Sequence, residues 1–247
     1  ERGLGSVVML SGEPGIGKTT LARRFADSIS DRNIEVLWGR CSEAEGAPPY
    51  WPWIQMIRSY ASHCSPERLK EQMGAGGADI AEMVPDLFQM LSGLERSSRS
   101  IYPESDKFRL FSACQLFLEN VASQQPLVLI FEDLHRADQP SIMLLEFLAW
   151  ELSEAAVLFV GTYRDVELRR QHPLSNALGE MKDLPRFQRI SLRGLVRSDV
   201  KKYMDSVAGG SVSESLVDTV HSRAEGNPLF VAETVRLLLH EGYLSSE

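Results

Sequence analysis

The sequence predicts an α/β fold: a doubly wound, mainly parallel, five-stranded sheet followed by a small helical module. Three observations predict it. Short apolar runs of strand length alternate with stretches of helical periodicity, the pattern of βαβ units. The first run passes through a glycine-rich turn directly into a helical stretch. After residue 192 the strand-like runs stop and only helical stripes remain.

The elements follow in order. Val7–Leu10, Ile34–Trp38, Leu127–Phe131, Ala156–Val160 and Ile190–Leu192 are the five strand candidates. Lys18 to Ile29 reads as the helix after the first strand. Phe111, Cys114, Leu118 and Val121 recur at helical spacing between Ser105 and Ser123. Leu144, Leu145, Leu148, Ala149 and Leu152 do so after Pro140-Ser141, a helix start. Residues 41–126 form a long helical insertion between the second and third strands. It opens on Ala47-Pro48-Pro49-Tyr50-Trp51-Pro52-Trp53, whose prolines and aromatics suggest a rigid turn packed on the core, or a ligand-stacking surface. Gly74-Ala75-Gly76-Gly77 breaks it, and Arg96-Ser97-Ser98-Arg99-Ser100 reads as an exposed loop.

Beyond residue 192, Val200, Tyr203, Met204, Val207 and Ala208 make one amphipathic stripe. Leu216, Val217, Val220 and Ala224 make a second. Phe230, Thr234, Leu237 and Leu238 lie on a third helix that opens at Asn227-Pro228, a cap followed by proline in the first turn. The predicted organisation is therefore a core over 1–192 and a helical lid over 193–247.

Bulk composition narrows the function classes. Of 247 residues 43% are apolar, enough for one large core with a small appendage. No run approaches a membrane span, and no signal peptide opens the chain. The net charge of -8, without a basic block, argues against gripping nucleic acid by its phosphates. Cys41, Cys64 and Cys114 are odd in number and widely spaced, which points to a reducing, cytoplasmic setting rather than a disulfide framework or zinc site. The five histidines are scattered. Only six residues precede the first strand, so a fragment of a larger protein is expected.

The chemistry lies in Gly12-Glu13-Pro14-Gly15-Ile16-Gly17-Lys18-Thr19, which matches G-x-x-x-x-G-K-[ST], the phosphate-binding P-loop. Glycines there let backbone N–H groups turn toward a phosphate. Lys18 supplies charge near the β and γ oxygens, and the Thr19 hydroxyl suits Mg²⁺. The Leu127–Phe131 strand runs into Glu132-Asp133. A P-loop enzyme needs one acid for the magnesium shell and one to orient the attacking water, here Glu132 and Asp133 respectively. The opposite order, Asp then Glu, is the more familiar one for fast hydrolysis, so slow turnover is expected. The fourth strand delivers Thr162 and Arg164 at its carboxyl end, where ligands sit in open α/β sheets. Arg164 is either a γ-phosphate sensor or a solvated loop arginine. Gly226-Asn227-Pro228 is either a helix restart or a segment that holds Pro228 against a base.

Together GEPGIGKTTLARRFA (12–26), APPYWPW (47–53), LVLIFEDLHRAD (127–138), VGTYRD (160–165) and GNPLFV (226–231) resemble the nucleotide-binding module of STAND-class, AAA+-like P-loop ATPases. The resemblance spans nearly the whole chain and is nearest to modules in bacterial LuxR-type large transcriptional regulators and in cyclase-associated ATPases. It implies that Gly12, Gly15, Gly17, Lys18, Thr19 and Thr20 hold the phosphates of ATP or ADP. It also implies that Glu132 and Asp133 act on Mg²⁺ and water, that Arg164 is sensor-like, and that Pro228 contacts the adenine. Arg136 stands where many relatives carry tryptophan, and the family's upstream adenine-covering segment is absent from this sequence. The implied function is a nucleotide switch in a multidomain transcription regulator, acting on other domains of the same polypeptide and on further copies of itself. DNA would be bound only through a segment outside this chain, and no membrane is expected as partner. The alternatives are a small-molecule kinase, a replication-type AAA+ ATPase, and a module attached to a nucleotide cyclase.

Overall fold

The computed structural model describes residues 3–42, 47–94, 103–168 and 171–244. The exposed loop expected over Arg96–Ser100 lies outside the described residues. Five strands build one sheet: β1 (Ser6–Ser11), β2 (Glu35–Arg40), β3 (Leu127–Glu132), β4 (Val157–Tyr163) and β5 (Phe187–Ser191). Their order is β2-β3-β4-β1-β5, and every pairing is parallel. Parallel strands are buried on both faces, which is why β3 and β4 read as continuous apolar runs. Val7 and Leu129 both lie opposite Phe159, so the middle of the sheet is a row of large apolar side chains.

One strand differs from the sequence reading. The run Ile190–Leu192 was expected, but β5 is Phe187–Ser191, and most of its residues are exposed. It is an edge strand paired only with β1 and partly open to water, so the apolar run that marks a buried strand is missing.

Helices cover both faces. α1 (Lys18–Ser28) follows β1 directly, as the glycine-rich turn predicts. The insertion supplies α2 (Trp51–His63), α3 (Pro66–Met73), α4 (Gly77–Met83), the single turn α5 (Leu87–Met90) and the long α6 (Pro103–Gln124). Ser65 caps α3 by accepting from the Arg68 N–H, with Pro66 in the first turn. Trp53 is buried, stands edge-on to Phe131 at 4.9 Å between ring centres, and donates its indole N–H to the Ser141 carbonyl. α2 can approach β2 this closely because Gly39 has no side chain: a Cβ there would lie 2.5 Å from the Pro52 carbonyl oxygen. The Pro-aromatic turn therefore packs on the core.

α7 (Gln139–Glu151) and α8 (Pro173–Met181) complete the layers around the sheet. Asp138 caps α7 by accepting from the Ser141 N–H, and the same oxygen accepts from the Tyr50 N–H. The start of the insertion's first helix is thereby tied to the segment just past β3.

The last three helices are α9 (Arg197–Ala208), α10 (Glu214–Ala224) and α11 (Pro228–His240). They bury their own apolar cluster of Val200, Met204, Val217, Val220, Val231 and Val235, distinct from the clusters on the sheet. On α11 the expected stripe is not the buried one. Phe230 and Leu237 are exposed, and Val231 and Val235 face the cluster. Both faces of this helix carry apolar residues, so spacing alone does not choose between them. Among the described residues no helix is long and apolar enough to cross a membrane.

Candidate functional site

The loop after β1 takes its shape from three glycines in positive-φ conformations: Gly12 at 144°, Gly15 at 78° and Gly17 at 101°. Gly17 is the left-handed residue that starts α1, so the helix N-terminus, with its unpaired N–H groups, opens at the loop. Lys18 is buried and arches back over this loop. Its ammonium donates to the Gly12 carbonyl at 2.7 Å and the Glu13 carbonyl at 2.8 Å. Burial pulls its pKa below the ordinary lysine value and the Arg164 guanidinium pushes the same way, while Asp133, Asp165 and Glu167 act in the opposite direction.

A cleft of about 670 Å³ lies over the loop, within the usual range for small-molecule sites. Gly15, Gly17, Lys18, Thr19, Thr20, Asp133, Arg164 and Pro228 all line it. Of the sequence-derived candidates, Gly12 and Glu132 do not. Gly12 lies behind the wall, giving its carbonyl to Lys18. Glu132 is mostly buried at the end of β3, with Arg23 Nη2 3.7 Å from its Oε1. Arg23 follows Thr19 by one helical turn on the same face of α1. That contact ties Glu132 to α1, although its side chain is not among those that line the cleft.

Asp133 is placed by its backbone. It sits at φ 59°, a left-handed conformation that Asp tolerates better than most side chains. Its N–H is held by the Oγ1 of the fully buried Thr162 at 3.0 Å. The last residues of β4 thus fix the acid that follows β3. A threonine hydroxyl and a carboxylate, the groups that Thr19 and Glu132 carry, are oxygen donors of the kind a hard divalent cation takes, and among the described residues no cluster of three or more His, Cys, Asp or Glu offers a metal site of its own.

The far wall comes from α11, and here the sequence reading named a cap but not its bond to the phosphate loop. Asn227 is buried and uses both ends of its amide. Its Oδ1 accepts from the Leu229 N–H, which caps α11, and its Nδ2 donates to the Pro14 carbonyl at 2.9 Å. The Leu229 N–H also lies 3.3 Å from the Gly15 carbonyl. The capping role was visible in Asn227-Pro228, but the bond to a residue 213 positions earlier has no local signal. Gly226, at φ 71°, lets the chain pass against the Leu195 backbone: a Cβ would lie 2.3 Å from the Leu195 carbonyl oxygen. Leu21, Arg24 and Leu229 also line the cleft and were not singled out by the sequence.

A second cavity of about 450 Å³ lies among the insertion helices, lined by Tyr50, Asp79, Met83 and Arg109 among others. It shares no residue with the phosphate loop. The phosphate chemistry belongs to the first cleft.

Comparison with known proteins agrees with this geometry. A family model described as an AAA ATPase domain matches residues 1–160, and a model of a domain of unknown function matches residues 207–244. An uncharacterised protein of Rhizobium meliloti (strain 1021) is 27% identical over an alignment of 174 residues that covers 66% of this chain and 16% of that protein. A signal transduction ATPase with numerous domains and a tetratricopeptide repeat sensor, from Pyrococcus horikoshii, superposes with a TM-score of 0.53 at 15% identity, over 95% of this chain and 30% of that one. Cdc6p from Pyrobaculum aerophilum gives a TM-score of 0.52 at 12% identity, over 97% of this chain and 57% of that one. The chain thus spans under two thirds of each of these proteins. The two structural likenesses show a shared fold. The family match carries the assignment, because it runs from before the phosphate loop through both acids and into β4: this chain belongs to the AAA ATPase domain family.

Proposed function

We propose that this chain is an ATP/ADP-binding switch module with slow Mg²⁺-dependent hydrolysis, working in the cytoplasm inside a multidomain regulator of transcription of the LuxR-type large class. The observation that carries the reading is the composition of one cleft. It joins a phosphate loop, an acid after β3, an arginine after β4 and the Pro228 turn of α11, four segments far apart in sequence. Loop N–H groups and Lys18 would hold the phosphates of the nucleotide. Thr19 and Glu132 would hold Mg²⁺, which would neutralise charge on the phosphate oxygens. Asp133 and Arg164 both line the cleft; in this reading Asp133 would orient a water and Arg164 would touch a γ-phosphate. Pro228 and Leu229 offer an apolar surface to a base. The core is then 1–192, and 193–247 acts as a lid whose position depends on what lies beneath it. Its partners in this reading are other domains of the same polypeptide and further copies of itself.

A replication-type ATPase is the second reading, favoured by the similarity to the Pyrobaculum Cdc6p fold. The net charge of -8 weighs against DNA contact by this chain itself.

The test compares affinities of Arg164→Ala for ADP and for the slowly hydrolysed analogue ATPγS by calorimetry. A guanidinium that meets the γ-phosphate should cost ATPγS about 2 kcal/mol, or about 30-fold, and leave ADP within a few-fold. Equal losses would make Arg164 structural. Steady-state turnover of the wild-type chain should fall well below the roughly 10 s⁻¹ typical of enzymes.

A further inference from the structure

Arg164 borders the cleft, yet part of its guanidinium is already engaged. Its Nη1 donates to Glu167 Oε1 at 2.6 Å. The other oxygen of the same carboxylate, Oε2, lies 3.2 Å from Nε2 of His135, whose side chain is fully buried. Glu167 is therefore bonded to an arginine of the nucleotide cleft and lies close to an imidazole of the interior, whose two ring nitrogens make no hydrogen bond. We propose that Glu167 is a specificity residue that stands in for the γ-phosphate, holding Arg164 when the nucleotide is a diphosphate and giving it up to a triphosphate.

Three features support the exchange, which rests on the reading of Arg164 given above. Carboxylate and phosphoryl oxygens are equivalent acceptors for a planar guanidinium, so one can replace the other with little change of geometry. The Glu167 side chain is 38% exposed, and a partly solvated ion pair is weak enough to be traded. Glu167 also keeps company after the trade: Oε2 remains beside His135, and the Arg136 charge acts on it as well. The neighbouring carboxylate, Asp165, is paired with Arg189 at 2.7 Å and not with Arg164. The pair is built into the backbone, for both residues belong to one short turn in which the Glu167 N–H bonds to the Arg164 carbonyl.

The test is Glu167→Gln, alone and with Arg164→Ala, titrated with ATPγS and with ADP in the presence of Mg²⁺. Removing the competing charge should tighten ATPγS about two- to fivefold, the scale of a partly exposed ion pair, and leave ADP unchanged. In the Arg164→Ala background the gain should vanish. Glu167→Ala should repeat the sign. Weaker ATPγS binding by Glu167→Gln would mean that the carboxylate positions the arginine for the nucleotide and would overturn the exchange. So would an equal change for both nucleotides, or a gain that persists without Arg164. If Arg164→Ala alone harms ADP and ATPγS equally, the sensor reading falls and takes the proposal with it. If that variant is selective but Glu167→Gln is not, only the exchange is wrong.

Discussion

Asn227 is a side chain whose two hydrogen bonds can be removed separately. Serine keeps the cap on α11, since Ser and Asn rank together at that position, but it is too short to reach the Pro14 carbonyl. Asn227→Ser thus deletes the bridge from α11 to the phosphate loop and little else. Pro14 is exposed, so water can replace the lost donor, and the loss sits near the middle of the usual net value, about 1 kcal/mol. The Leu229–Gly15 bond remains and keeps the contact from failing outright. If 193–247 is a lid whose opening limits release, about 1 kcal/mol taken from the closed state speeds ADP release about fivefold. Asn227→Ala removes the cap too, adding about 1 kcal/mol that appears mainly as a lower urea midpoint. The assay is stopped-flow release of a fluorescent ADP analogue, beside urea unfolding of the three proteins. An Asn227→Ser protein that releases ADP at the wild-type rate would refute the coupling between α11 and the phosphate loop.

Two further predictions follow from single positions. Lys18→Ala should weaken ADP and ATPγS by about 30-fold or more, from about 2–5 kcal/mol for a buried charge contact, and unchanged calorimetric affinity would remove the phosphate loop from the mechanism. Gly226→Ala should destabilise the chain more than Gly242→Ala, because both have φ above 70° but only the first would drive a Cβ into backbone. The left-handed conformation costs about 1–2 kcal/mol in each, so equal urea midpoints would show that the approach to Leu195 is not tight.

Local chemistry explains which parts of the molecule could be read in the sequence. Gly12, Gly15 and Gly17 are needed where φ is positive, and that requirement is written within one short stretch of sequence. β3 and β4 declare themselves because both of their faces are buried. β5 does not, because an edge strand exposes Phe187–Ser191 and can be polar. α11 presents apolar residues all round, so its buried face, Val231 and Val235, is decided by α9 and α10 rather than by its own spacing. Glu132 and Asp133 are adjacent in sequence, yet only Asp133 lines the cleft. A strand turns successive side chains to opposite sides, and Asp133 has already left the strand. Asn227–Pro14 and Glu167–His135 join residues brought together by the tertiary fold, and no window of sequence contains either pair.

The position of β1 in the sheet has a consequence for synthesis. The strand that carries the phosphate loop is the first made, yet both of its neighbours, β4 and β5, come much later in the chain. Nothing made before Val157 can hydrogen-bond to it in the native way. At roughly 5–20 residues per second, the loop waits on the order of 7–30 s after leaving the ribosomal active centre before β4 exists. During that interval the nascent chain has no rigid cradle for phosphate, and β2 and β3 can pair without it. If the cleft takes a nucleotide as proposed, it would do so only in chains whose sheet has closed, and the nucleotide would then stabilise those chains selectively and leave arrested fragments unprotected.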